Sequence, residues 1–104
     1  MDRRIKRIEE MEDYLDKSRK AVDDLTKAFD EYEKIQRGYK KLLSYYDSKH
    51  WLEDFEADAE GLLPKDLKRG VLSEDAVYDL ISDNHELSVR MLKVMSKALE
   101  NDTI

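Results

Sequence analysis

The fold is decided by residues 8–32, IEEMEDYLDKSRKAVDDLTKAFDEY, where apolar residues recur at two positions of a seven-residue repeat. The a positions are Ile8, Leu15, Val22 and Phe29, and the d positions are Met11, Ser18, Leu25 and Tyr32. We call these eight residues the heptad stripe. Ser18 is its single polar member. A repeat sustained over four heptads predicts a long amphipathic helix that packs against another helix.

The residues around the stripe indicate how wide the apolar surface of this helix is and where the helix ends. Tyr14, Ala21, Ala28 and Ile35 lie at the g position and widen the apolar surface, which is typical of a helical bundle. The helix is predicted over about 3–36, with an end near Gly38. It would be about 50 Å long, whereas a compact chain of this size is roughly 33 Å across. We therefore expect an elongated hairpin bundle or a stripe covered by a second copy.

The rest of the chain also reads as helical. An aromatic helical region is predicted over about 39–60 with a break at Asp47-Ser48, where either residue can cap the next segment. A short turn is predicted over about 64–69. The last helix, or helix pair, is predicted over about 74–101, with Ser73 as its cap and a kink or division at Ser82–Asn84.

These segments predict one all-α domain over residues 1–104. Its architecture is an elongated bundle of three to four helices, with the long N-terminal helix packed antiparallel against a kinked C-terminal helix. No segment has the alternating pattern of a strand.

Composition excludes several classes of protein. The 104 residues contain no cysteine, which excludes a disulfide scaffold, a thiol nucleophile and a Cys-based metal site. No apolar run approaches the ~20 residues of a membrane span, and the N-terminus lacks the apolar core of a signal peptide. The net charge of −6 disfavours a nucleic-acid-binding protein. We therefore expect a cytoplasmic protein that does not act at a membrane.

No motif for catalysis or metal binding is found. The alternating acidic residues of 54–60 resemble a calcium loop, but Ala59 and Lys65 stand where the loop needs glycine and glutamate. Neither His50 nor His85 lies in a Glu-x-x-His or His-x-x-x-His spacing; His50 with Glu53 and Asp54 could form a weak metal site, but a hydrogen-bonded linker histidine is the favoured interpretation. Glycine-rich phosphate loops and nucleophile elbows are absent. We predict no cofactor, no metal and no catalytic residue, and hence a protein that is not an enzyme.

The segment Arg37–Trp51 combines a net charge of +3 with four aromatic residues, Tyr39, Tyr45, Tyr46 and Trp51. Such residues can fill a helix corner, anchor a protein interface or stack on single-stranded nucleic acid. All three interpretations stay open at this point, and nucleic acid is the least favoured of them because of the acidic chain.

Two motifs carry a resemblance. They are YYxSxxWxxDF at residues 45–55 and LPxDLxRGVLSEDxxYDL at residues 63–80, of which RGVLSED at 69–75 is the most specific. The chain resembles a family of short bacterial proteins described only as a domain of unknown function. The resemblance covers nearly the whole chain and implies a small, helical, cytoplasmic bacterial protein. It implies no activity, substrate or catalytic residue.

Two functional hypotheses follow from the residues. The first is a non-enzymatic helical module that self-associates, as in a homodimer, or docks a partner helix through the heptad stripe. Its candidate residues are Leu15, Val22, Leu25, Phe29 and Tyr32. The second is a small pocket for a polar ligand, or a catalytic pocket, at the corner formed by Tyr45, Tyr46, Trp51, Asp54 and Arg69, where an aspartate–arginine pair would lie beside aromatic rings. Weak nucleic-acid binding ranks third.

Overall fold

The computed structural model describes residues 2–102, and its regular secondary structure is entirely helical. Helix α1 spans Arg3–Tyr46, α2 spans Lys49–Ala59, a 3-10 turn spans Gly70–Leu72, and α3 spans Ala76–Glu100. No strand occurs within residues 2–102. The all-α class predicted from the sequence is confirmed.

The chain divides into two compact units, Met1–Lys41 and Leu42–Ile104. The first unit holds the greater part of α1, including the heptad stripe. The second unit holds the last residues of α1 together with α2, the 3-10 turn and α3. The antiparallel packing of the first and last helices, and a single domain over 1–104, stay predictions.

Helix α1 continues ten residues beyond its predicted end. Gly38 lies inside it, and a Cβ added there would lie 3.3 Å from the Cδ1 atom of Ile35. A glycine inside a helix costs about 1 kcal/mol relative to alanine. Leu42, Leu43 and Tyr46 are partly buried in the second unit, and this burial offsets the cost.

The break predicted at Asp47-Ser48 is present. Ser48 has an extended backbone, its Oγ accepts a hydrogen bond from the Trp51 N–H at 3.4 Å, and its hydroxyl donates to the Tyr45 carbonyl at 2.6 Å. Ser48 thus ends one helix and caps the next, as an N-cap serine does.

Helix α2 ends at a glycine that adopts a left-handed conformation. Gly61 has φ 74°, its N–H donates to the Asp58 carbonyl at 3.0 Å, and the Leu62 N–H donates to the Ala57 carbonyl at 3.0 Å. This pair of bonds is the Schellman motif, which favours glycine at this position because it has no Cβ. The chain therefore leaves α2 in a fixed direction.

The connection to α3 contains the short turn expected after Pro64, where the Leu67 N–H donates to the Pro64 carbonyl at 3.2 Å. Ser73 forms the hydrogen bond predicted for a cap, since its Oγ accepts from the N–H of Ala76, the first residue of α3, at 3.1 Å; Asp75, which directly precedes the helix, makes no side-chain cap bond. Helix α3 is continuous through residues 82–84. Ser82–Asn84 therefore does not divide it.

The core of the second unit is small. Leu72 in the 3-10 turn and Val77 in α3 are its buried side chains, exposed by 6% and 4%. The 3-10 turn contacts both α2 and α3, so it joins the two helices. None of the described helices is both long and apolar enough to span a membrane.

Candidate functional site

The heptad stripe lies on the surface of α1. Its seven large side chains keep between 36% of their surface exposed, at Tyr32, and 60%, at Leu15. The flanking Tyr14 and Ile35 are exposed by 53% and 60%. No residue of α1 is buried. The heptad stripe is thus present as a continuous exposed surface of α1.

Several charged residues of the same helix form ion pairs within it. Lys17 lies 2.7 Å from Asp13, Arg19 lies 3.1 Å from Asp23, and Lys20 lies 2.6 Å from Asp24, all at i,i+4 spacing. Each such exposed pair contributes only about 0.3–0.5 kcal/mol to helix stability. The paired residues lie outside the heptad stripe, whose large side chains are exposed.

The second candidate region is in the second unit, where the aromatic side chains pack on one another. The Trp51 ring stacks on Phe55, with centroids 5.1 Å apart, and meets Tyr46 edge-on at 5.5 Å. The Trp51 Nε1–H donates to the Val71 carbonyl at 2.9 Å, and the Tyr46 hydroxyl donates to the Glu74 carbonyl at 3.3 Å. These bonds attach the segment around the 3-10 turn to α2 and to the end of α1.

Arg69 pairs with a different aspartate from the one expected. Its guanidinium forms an ion pair with Asp58, and it also donates to the Pro64 carbonyl and, at 3.2 Å, to the Leu67 carbonyl. Asp54 instead accepts a hydrogen bond from the Tyr45 hydroxyl at 2.6 Å. Asp58 lies one helical turn closer to the loop that carries Arg69. Sequence reasoning missed Asp58, although its position beside the predicted end of the helix pointed to the loop.

The polar groups of this corner are consequently engaged within the chain. The Trp51 indole, the Tyr46 hydroxyl, the Asp54 carboxylate and the Arg69 guanidinium each have an intramolecular partner. A polar ligand would have to displace bonds that hold the second unit together. Among residues 2–102, no three histidine, aspartate or glutamate side chains are grouped so that they could hold a metal ion. The side chains of this corner bond to one another and to the backbone, so their evident role is to hold the second unit together.

The contact between Tyr45 and Asp54 changes the ionisation of the tyrosine. The hydrogen bond to Asp54, with smaller contributions from desolvation and from the carboxylate charge, raises the pKa of Tyr45 to about 12 from its ordinary value of 10.0. The raised pKa means that the folded state binds the phenolic proton more tightly than the unfolded state. The stabilisation is therefore complete below about pH 10 and is lost as the pH rises towards 12.

Replacing Asp54 with asparagine is expected to lower the pKa of Tyr45 towards 10.0, because the charged acceptor is removed. The phenolate absorbance, measured against pH for the wild type, Asp54→Asn and Tyr45→Phe, isolates the contribution of this tyrosine. Equal titration curves for the wild type and Asp54→Asn would show that the Tyr45–Asp54 bond does not form in solution.

Comparison with known proteins places the chain in a family. Neither the curated proteins nor the solved structures gave a match. A family model described as "Domain of unknown function (DUF4298)" matches residues 8–94. The match includes the whole heptad stripe, the aromatic corner and most of α3. The resemblance read from the motifs of residues 45–55 and 63–80 is confirmed, and the chain belongs to the DUF4298 family.

Proposed function

We propose that this protein is a non-enzymatic helical interaction module that self-associates through the heptad stripe of α1. The observation that carries the proposal is the continuous exposure of the stripe from Ile8 to Tyr32. Soluble monomers rarely expose contiguous apolar patches larger than a few hundred Å², and larger patches mark interaction sites.

The size of the surface is adequate for a dimer. Seven large stripe residues, with Tyr14 and Ile35 beside them, are each exposed by 36–60%. Their combined apolar area is of the same order as the ~800 Å² that each partner contributes to a standard protein interface. The a and d spacing is the one by which helices interlock side chains.

The other functional hypotheses have less support. The polar groups of the aromatic corner already have partners within the chain, which disfavours a ligand pocket there. The net charge of −6 opposes binding to nucleic acid. The complete lack of cysteine fits a reducing compartment, and we propose that the module acts in the bacterial cytoplasm.

The test uses the concentration dependence of helix stability. A single amphipathic helix of this length is marginally stable in water without packing of its apolar face. If the stripe is covered by a second copy, raising the protein concentration about a hundredfold should raise the melting temperature of the far-ultraviolet circular dichroism signal. A melting temperature that is independent of concentration would contradict the proposal.

Trp51 supplies an internal control for that experiment. It is the only tryptophan, and it lies in the second unit, packed on Phe55 and Tyr46. Its near-ultraviolet circular dichroism reports the packing of the second unit. We expect this signal to melt at a temperature that changes little with concentration, because the stripe lies in the other unit.

A further inference from the structure

We infer that the partner surface for each stripe is the same stripe of a second copy, running antiparallel, so that facing residue numbers add up to 40. This inference rests on the self-association proposed above. It specifies which segment of the second copy each residue meets.

The register follows from the heptad positions. In an antiparallel pair of helices, a positions face d positions of the partner. A sum of 40 satisfies this condition for all eight stripe residues. The layers are Ile8 with Tyr32, Met11 with Phe29, Leu15 with Leu25, and Ser18 with Val22, each occurring twice. Every stripe residue therefore faces a stripe residue of the second copy.

The sizes of the facing side chains agree with this register. The smallest layer, Ser18 with Val22, lies next to the twofold axis, and the layers with aromatic rings lie at the two ends. Each ring faces an aliphatic or thioether side chain. At the flanking g positions, Tyr14 comes beside Ala28. The aromatic residues therefore face smaller side chains, which allows the even packing of a helix interface.

Charge also favours the antiparallel direction. Residues 3–7 carry four positive charges, from Arg3, Arg4, Lys6 and Arg7. A parallel dimer would bring this segment against its own four positive charges, whereas the antiparallel dimer brings it against residues 33–37, whose net charge is only +1 because Glu33 accompanies Lys34 and Arg37, so the repulsion is smaller. The helix dipoles are also opposed in the antiparallel dimer. Arg19 meets its own copy near the axis, but Asp23 lies 3.1 Å from it in each chain.

Neighbouring registers are worse. A slide of one heptad to a sum of 47 places Met11 opposite Gln36 and Ile8 opposite Tyr39, and both of those facing residues are already partly buried. The opposite slide, to a sum of 33, places Phe29 opposite Arg4. In each shifted register, some apolar layers are replaced by pairs in which one residue is polar or is already partly buried within its own chain.

Disulfide trapping tests the register, because the chain has no cysteine of its own. Ile8→Cys and Tyr32→Cys are prepared separately in the full chain, then mixed and mildly oxidised. The mixture is expected to form at least tenfold more disulfide-linked dimer than either variant alone. In the proposed dimer, residue 8 of one copy lies about 36 Å along the axis from residue 8 of the other, too far for a disulfide.

Two further measurements separate the outcomes. Mixing Ile8→Cys with Lys34→Cys, which lies near residue 32 on the outer face, should trap little dimer. Strong self-linking of Ile8→Cys alone, in a protein whose solution mass is that of a dimer, would overturn the antiparallel register and leave self-association intact. A monomeric mass for both variants and the wild type would overturn the proposed function itself.

Discussion

Leu25→Asp is expected to abolish self-association at concentrations where the wild type is dimeric. Leu25 is an inner d residue of the heptad stripe, and each dimer contains it twice. Replacing a buried leucine with a carboxylate loses apolar burial and desolvates a charge. At about 2 kcal/mol for each copy, the dissociation constant should rise roughly a thousandfold. Sedimentation equilibrium of the two proteins measures this change.

Lys27→Gln is the matched control for that variant. It makes the same change of −1 in net charge, two residues along the helix, but on the outer face of α1. We expect its dissociation constant to stay within a fewfold of the wild-type value. Equal weakening by Leu25→Asp and Lys27→Gln would indicate that charge, and not the stripe, governs association.

Trp51→Ala is expected to lower the free energy of unfolding of the second unit by roughly 3 kcal/mol. Truncating a large aromatic side chain in a packed site typically destabilises a protein by about this amount. The variant loses the stacking on Phe55, the edge contact with Tyr46 and the hydrogen bond to the Val71 carbonyl. Because the Val71 bond holds the segment next to buried Leu72, the small core should loosen with it. Urea unfolding followed by circular dichroism measures the free energy of unfolding.

Trp51→Phe separates the contribution of ring packing from that of the hydrogen bond to the Val71 carbonyl. It keeps a ring for stacking but removes the indole N–H, and the lost hydrogen bond should cost about 1 kcal/mol. His50→Ala changes the adjacent residue, whose side chain is 82% exposed, and should leave stability nearly unchanged. A Trp51→Ala variant as stable as His50→Ala would mean that the aromatic corner does not support the fold.

Most of the helical architecture could be predicted from local signals. The heptad stripe predicted α1 because its period is close to that of a helix. Ser48 and Ser73 were recognisable as caps, since a serine before an apolar run can accept a hydrogen bond from an exposed backbone N–H. Both form these bonds in the structure. Each of these signals depends only on residues a few positions apart.

The features that were missed depend on distant residues. Gly38 suggested a helix end, but the helix continues because side chains beyond it are partly buried in the second unit. Arg69 was assigned to Asp54, because the sequence does not show how the chain returns after Gly61. The left-handed turn at Gly61 precedes the loop in which Arg69 pairs with Asp58. The sequence alone does not show whether Arg69 pairs with Asp54 or with Asp58, because these two carboxylates lie only one helical turn apart.

The most direct test of the account is the solution mass of the unmodified protein, measured by light scattering after size exclusion. The heptad stripe is continuous and exposed in one chain, and a second copy covers it in the proposed dimer. The predicted result is a stable mass of twice 12.3 kDa. A mass of 12.3 kDa that persists at high protein concentration would contradict self-association through the stripe.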